Sequence, residues 1–119
     1  MTTRQPEVTV DRTVTVIRLG PGFESIEEPE IASLEQVLVG IVDDAQPPKI
    51  VVDLAHTKFF GSSFMEVLFH MWNRIKQRDG QFALSSLTEY CDEVLRITHL
   101  DRLWDIHDNP ESAVDSITG

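Results

Sequence analysis

Apolar and polar residues alternate near the start of the chain, and this pattern predicts a β-hairpin. Alternating β-branched residues occupy residues 8–19, with Asp11-Arg12 as a polar break in the middle. β-Branched residues at alternate positions favour strands, and a polar pair between two such runs favours a tight turn. Gly20-Pro21-Gly22 ends the pattern.

The segment after Pro29 has the spacing of an amphipathic helix. Its apolar residues recur at intervals of three and four positions, and they are Ile31, Leu34, Leu38 and Ile41. Proline is favoured in the first turn of a helix, so Pro29 marks its start. The polar pair Asp43-Asp44 and the following Pro47-Pro48 predict its end.

A second helix is predicted at residues 62–78. Its buried stripe is expected to contain Met65, Leu68, Trp72 and Ile75, widened by Phe64, Val67, Phe69 and Met71. Asp79-Gly80 predicts the C-terminal stop, with Gly80 as the residue that can adopt a positive φ.

The other elements complete an alternating order of strands and helices. Residues 50–54 show no alternation of apolar and polar positions and are bounded by turn signals, which is typical of a strand buried on both faces. Residues 82–87 predict a strand parallel and adjacent to it. Three further elements follow. A helix capped by Thr88 is predicted to run to Ile97 and to bury Val94 and Leu95. A short strand with Leu103, Trp104 and Ile106 comes next, and a last helix begins at Pro110 and buries Ala113, Val114 and Ile117.

This order predicts an α/β fold: a mixed β-sheet with an N-terminal hairpin and four helices packed on it. A chain of 119 residues is one domain by size. We expect a flexible N-terminus at residues 1–7 and a single domain at residues 8–119.

Composition narrows the classes of partner. With 41% apolar residues the chain can bury a core, and its net charge of −10 disfavours nucleic acid and anionic membrane surfaces, which select for Lys and Arg. The single cysteine, Cys91, excludes an intramolecular disulfide and suits a reducing compartment. No apolar run approaches the roughly 20 residues of a membrane span, so we expect a cytoplasmic protein.

The residues give little support for catalysis. The four histidines lack metal-ligand spacing, and they are His56, His70, His99 and His107. Cys91 has no neighbouring sequence feature that would lower its pKa, and no phosphate-binding glycine loop is present. We expect no catalytic residue, metal or cofactor, and therefore no enzyme.

Asp53, late in a buried strand, invites an alternative as the phosphoacceptor of a response-regulator receiver. A receiver needs an acidic pair after its first strand, whereas Asp43-Asp44 follows a helix. Asp53 is therefore interpreted as a polar residue that is hydrogen-bonded locally.

The loop before the second helix is the candidate site. It places Ser62 and Ser63 at a helix N-terminus, where backbone N–H groups and the helix dipole favour a phosphate. The alternative for these serines is a plain N-cap role. We expect a phosphorylation-switched surface for a protein partner, and its predicted contact residues are Phe60, Gly61, Ser62, Ser63, Phe64 and Glu66. Of Phe59, Phe60 and Phe64, two are expected in the core and one at the surface.

Residues 8–117 resemble the STAS domain, named for sulphate transporters and anti-sigma factor antagonists. The resemblance rests on the strand at 50–54, the loop into Ser62-Ser63, the helix ending Arg78-Asp79-Gly80, and residues 94–103. In phosphorylatable members the loop reads Asp-Ser-Ser/Thr-Gly, and a partner anti-sigma factor that is itself a serine kinase phosphorylates the first hydroxyl residue. The resemblance implies that this residue is Ser62, with Ser63 as the alternative.

The loop departs from the family pattern at two positions. Gly61 replaces the acid, removing a group that could orient the hydroxyl, and Phe64 replaces the glycine, adding a bulky ring beside the site. Both departures favour a second hypothesis: a non-phosphorylated adaptor or scaffold, such as a cytoplasmic subunit of a lipid-transport system. A cytoplasmic domain of an anion transporter is disfavoured because the sequence shows no membrane span.

Overall fold

A mixed five-stranded sheet with four helices forms the framework of the computed structural model, which describes residues 5–26 and 28–118. The elements are β1 (Glu7–Asp11), β2 (Val14–Arg18), β3 (Ser25–Ile26), α1 (Glu28–Asp44), β4 (Lys49–Asp53), β5 (Phe59–Phe60), α2 (Ser62–Gln77), β6 (Gln81–Ser85), α3 (Glu89–Ile97), a 3₁₀ turn (Leu100–Arg102), β7 (Asp105–His107) and α4 (Pro110–Thr118). The predicted fold class is confirmed.

The N-terminal hairpin pairs β1 with β2 in antiparallel register. Its turn is formed by Arg12 and Thr13, both with positive φ (49° and 73°), one residue later than the predicted polar break. Two consecutive positive φ values give the turn twist that suits a two-residue hairpin. β1 begins at Glu7, inside the segment expected to be flexible, and residues 1–4 lie outside the described part of the chain.

The central strand β4 lies between β2 and β6 in the order β1-β2-β4-β6-β7, and β2, β4, β6 and β7 run parallel. The predicted pairing of the two inner strands is confirmed, with Ile50 opposite Phe82. Alternate residues of β4 enter different cores. Ile50 and Val52 pack with residues of α1, α2 and α3, whereas Val51 packs with residues of α4. Helices on both faces explain why the three central residues of β4, Ile50, Val51 and Val52, are all apolar.

Helix α2 is rotated relative to the predicted stripe. The side chains that it buries are Phe64, Val67, Leu68, Met71 and Ile75. Met65 and Trp72 are only half-buried against the core, and Phe69 is 41% exposed. Leu68 and Ile75 of the predicted stripe are buried as expected, so the buried face is turned by only part of the roughly 100° between consecutive helical residues. Periodicity alone does not choose between the two faces. Packing of α2 against α1 and β6 makes the choice.

The end of α2 uses its two predicted residues differently. Asp79, and not Gly80, has the left-handed φ of 57°. Gly80 is required for close packing, because an added Cβ would collide with the carbonyl oxygen of Pro48. The stop is therefore at the predicted place, but the predicted positive φ at Gly80 is wrong.

The C-terminal elements agree with the sequence pattern except in their details. α4 begins at Pro110 and buries the three predicted residues. In α3 Leu95 is buried, whereas Val94 is only half-buried. Strand β7 begins after Leu103 and Trp104, of which Trp104 enters the core and Leu103 is exposed.

Candidate functional site

The loop before α2 is fixed by a two-stranded parallel ladder that the sequence pattern did not predict. Strand β5 pairs with β3, so that Phe59 lies opposite Ser25 and Phe60 opposite Ile26. The ladder is extended by Glu24, whose carbonyl oxygen accepts hydrogen bonds from the N–H groups of Lys58 (2.8 Å) and Phe59 (3.1 Å). These bonds fix the direction in which the chain enters α2.

The same loop is tied to the start of α3. The carbonyl oxygen of Thr57 accepts a hydrogen bond from the Thr88 hydroxyl at 3.1 Å and one from the Cys91 thiol at 3.5 Å. Thr88 is the residue before α3, as predicted, but its side chain makes this tertiary bond and does not cap the helix. The beginnings of α2 and α3 are therefore positioned by one connected segment.

Gly61 occupies the N-cap position of α2, with extended backbone angles (φ −105°, ψ −171°). The first helical hydrogen bond runs from the Met65 N–H to the Gly61 carbonyl oxygen at 3.3 Å. Within the described part of the chain, no side chain caps this helix. Ser62 is the first helical residue, so the alternative interpretation of Ser62 and Ser63 as N-cap residues is wrong.

Ser62 presents its side chain to solvent, whereas Ser63 is half-buried and has an interaction partner. In the described ranges nothing hydrogen-bonds to the Ser62 hydroxyl. The first turn of α2 consists of Ser62, Ser63, Phe64 and Met65, all uncharged. The N–H groups of Ser62, Ser63 and Phe64 precede the first N–H that donates along the helix, that of Met65, and the positive end of the helix dipole lies there. This end of α2 is thus suited to an added negative charge.

The three phenylalanines divide as expected, two in the core and one at the surface. Phe60 and Phe64 are 5% and 0% exposed, and their ring centroids lie 5.4 Å apart. Phe59 is 54% exposed. The prediction that Phe60 and Phe64 contact a partner is therefore corrected, because their side chains are enclosed by the core. The expected ring beside the site is absent from the described surface, since Phe64 points inward.

A further exposed residue at this surface is Tyr90, which the sequence analysis did not single out. Its side chain is 48% exposed, and its ring meets that of Phe59 edge-on with centroids 5.3 Å apart. Cys91 and Leu95 form the buried face of α3, which leaves Tyr90 on the outer side. That orientation was readable from the helical pattern, but its proximity to Phe59, 31 positions earlier, was not.

The other candidate residues have structural roles. Asp53 is buried at the end of β4 and accepts a hydrogen bond from the Ser85 hydroxyl at 3.0 Å. The expected hydrogen bond is therefore present, but it is made across the sheet to β6 and not locally in the chain. Burial raises the pKa of the Cys91 thiol and keeps it protonated. In the described residues, His, Cys, Asp and Glu side chains do not gather in groups of three that could hold a metal ion. Across the same residues, none of the helices has the length and apolar character of a membrane span.

Gly61 leaves room for the acid that the family pattern has at this position. An added Cβ would meet no atom of the described residues within 4 Å, and the extended φ and ψ suit an N-cap. We therefore expect the free energy of unfolding of Gly61→Asp to exceed that of Gly61→Ala by about 0.5–2 kcal/mol, because only aspartate can accept a hydrogen bond from the first turn. Urea denaturation of the two variants measures the difference. The alanine variant controls for the lost glycine freedom. Equal stabilities of the two variants would mean that this position does not act as an N-cap.

Comparison with known proteins gives a consistent result along nearly the whole chain. A family model described as the STAS domain matches residues 5–113. An anti-sigma-factor antagonist (STAS) domain protein from Planctomyces limnophilus is 36% identical, with a TM-score of 0.90 over 96% of this chain and 98% of that chain. An anti-sigma factor antagonist from Mycobacterium paratuberculosis is 21% identical, with a TM-score of 0.83 over 97% and 94%.

The third relative is the anti-sigma factor antagonist SpoIIAA. Its unphosphorylated form is 17% identical, with a TM-score of 0.79 over 97% of each chain. The Bacillus protein in its phosphorylated form is also 17% identical, with a TM-score of 0.69 over 95% of this chain and 99% of that chain. Identities at this level support the fold alone.

Proposed function

This chain belongs to the STAS domain family, and we propose that it is a regulatory protein-interaction domain of the anti-sigma factor antagonist type. It binds a partner anti-sigma factor or serine kinase through the surface around the start of α2. Phosphorylation at Ser62 releases that partner. The chain has no catalytic activity of its own in this role, and it acts in the cytoplasm.

The observation that carries the proposal is the position of the Ser62 hydroxyl. It is exposed on the first residue of a 16-residue helix whose first turn is uncharged. A kinase can reach such a hydroxyl without unfolding the domain. The helix start can then accommodate the product, because backbone N–H groups and the dipole stabilise an anion by about 0.3–1 kcal/mol.

The charge of the phosphate weakens the complex with the partner. Phosphorylation adds about −1.5 to −2 charges. A closely packed partner surface that offers no cation at this point would bury that charge unpaired, at a cost of about 2–5 kcal/mol. The modification is therefore nearly neutral for the free domain and strongly unfavourable for the complex.

The relative from Planctomyces limnophilus supports this choice among the possible roles of the fold, because it is 36% identical and is described as an anti-sigma-factor antagonist (STAS) domain protein. SpoIIAA adds only that this fold is compatible with a phosphorylated form. The burial of Phe64 adds support, because the residue that replaces the family's glycine does not obstruct the Ser62 hydroxyl.

Phosphorylation assays on matched serine variants test the proposal. The purified chain, Ser62→Ala and Ser63→Ala are each incubated with ATP and lysate of the native host, then weighed intact by mass spectrometry. We expect one added phosphate on the unmodified sequence and on Ser63→Ala, and none on Ser62→Ala. Equal phosphorylation of the Ser62→Ala chain would assign the modification elsewhere and overturn the role of Ser62.

Gly61 favours a second function, a constitutive adaptor with the same fold. Without an acid beside it, the Ser62 hydroxyl lacks the group that could orient it toward a kinase. An adaptor, such as a cytoplasmic subunit of a lipid-transport system, would stay unphosphorylated in the same assay and would bind its partner equally well with Ser62→Asp.

A further inference from the structure

A shallow cavity of about 400 Å³ lies beside the loop that leads into α2. We call it the aromatic–acidic notch, and the residues that line it are Lys58, Phe59, Thr88, Glu89, Tyr90 and Glu93. Its two sides come from the β5 segment and the first turns of α3. The hydrogen bond from the Thr88 hydroxyl to the Thr57 carbonyl holds these sides together.

Two aromatic rings line the notch. Phe59 and Tyr90 meet edge-on and are each about half exposed, at 54% and 48%. An edge-on pair leaves part of a ring face open, and the negative face of an aromatic ring attracts cations. Aromatic side chains of this size are also the residues that most often anchor protein interfaces.

Two carboxylates also line the notch. Glu89 and Glu93 are exposed and lie four residues apart on α3, so they face the same side of the helix and repel each other. In the described part of the chain neither has an ion-pair partner. Lys58, the cation that lines the notch, already lies 3.9 Å from Glu24. With Glu24 counted beside Lys58, the two unpaired carboxylates leave the notch with an excess of negative charge.

We propose that the aromatic–acidic notch binds an arginine side chain of the protein partner. A guanidinium can stack on an aromatic face and donate hydrogen bonds to carboxylates at the same time. An ammonium group satisfies the charge but not the planar stacking, so lysine should bind more weakly. The inference rests on the proposed function in one respect: it assigns the chemistry of a partner that this surface is proposed to bind.

A titration with single amino-acid probes tests the notch without the partner. N-acetyl-arginine amide is added to the isotope-labelled full chain, and amide chemical shifts are followed by NMR. We expect saturable shifts confined to the notch residues, with a dissociation constant on the order of 10 mM. N-acetyl-lysine amide should bind more weakly. The amide of N-acetyl-citrulline, which keeps the shape but not the charge, should cause no such shifts.

Variants separate the two parts of the notch. Glu89→Gln/Glu93→Gln and Phe59→Ala/Tyr90→Ala are each expected to weaken arginine binding by about two- to fivefold or more. Asp105→Asn/Glu111→Gln is the control, because it removes two exposed carboxylates elsewhere and should leave the affinity unchanged. All substituted side chains are exposed, and the remaining shifts report whether each variant keeps its fold.

Three results would overturn the inference: equal shifts with citrulline, shifts spread over the whole acidic surface, or unchanged arginine binding in both notch variants. These results are independent of the Ser62 assay, since every chain in the titration is unphosphorylated and has Ser62. Failure in the titration with normal phosphorylation refutes the notch alone. Failure at Ser62 with normal arginine binding refutes the switch alone.

Discussion

Ser62→Asp is expected to weaken partner binding by about thirtyfold to several thousandfold, so that an immobilised variant no longer captures the partner retained by the unmodified chain. The range follows from the cost of about 2–5 kcal/mol for an unpaired charge in a packed interface. Aspartate adds one negative charge, fewer than a phosphate, so the lower part of the range applies to it. Pull-down from native-host lysate, followed by titration of the identified partner, measures the loss.

The free energy of unfolding of Ser62→Asp is expected to stay unchanged or to rise slightly. Gly61, not Ser62, holds the N-cap position of α2, so Ser62→Ala should change the free energy of unfolding by less than about 0.5 kcal/mol. Aspartate at the first helical residue interacts favourably with the dipole, by about 0.3–1 kcal/mol. Loss of binding without loss of stability distinguishes a switch from a structural defect.

Asn73→Asp is the matched control for the added charge. Asn73 is exposed on the same helix, eleven residues after Ser62 and about 16 Å further along its axis. The variant brings the chain to the same net charge with almost no change of shape, and it should bind the partner normally. Equal losses in Ser62→Asp and Asn73→Asp would indicate general repulsion from an acidic chain. Full binding by Ser62→Asp would instead point to a constitutive adaptor.

The fold was accessible from the sequence because its main elements have strong and separate signals. Residues 50–54 lack the alternation of a half-exposed strand, which predicts cover on both faces, and in the structure α4 packs on one face and the other helices pack on the opposite face. The helix start at Pro110 follows from local backbone chemistry, because proline is favoured in the first turn of a helix. Such signals need no knowledge of distant residues.

The site was accessible only in part, because its surface is assembled from segments far apart in the chain. The position of Ser62 at the start of α2 is a local property and was predicted. The β3–β5 ladder joins two segments of two residues each, too short to show a period. Phe59 contacts Tyr90 beside the hydrogen bond from Thr88 to Thr57, and both contacts join residues about 31 positions apart, beyond the reach of a local pattern.

The burial of Phe64 in the core leads us to expect a large loss of stability when its side chain is removed. Phe64 is fully buried in the main core and packs against Phe60. Phe64→Ala should therefore lower the free energy of unfolding by about 3–5 kcal/mol, through lost burial and the cavity left behind. Restoring the family's glycine should cost about 1 kcal/mol more, because glycine is unfavourable within a helix. Urea denaturation followed by circular dichroism measures both losses.

Phe69→Ala is the matched control, with the same substitution on the same helix. Phe69 is 41% exposed and contacts Trp72 with ring centroids 5.3 Å apart, so its loss should cost about 0.5–1.5 kcal/mol. Equal costs at Phe64 and Phe69, or a larger cost at Phe69, would refute the observed rotation of α2. If the large difference is found, Phe64 supports α2 from within the core. Although Phe64 replaces the family's glycine, its side chain then lies in the core, so the Ser62 hydroxyl is as accessible as it would be with glycine at that position.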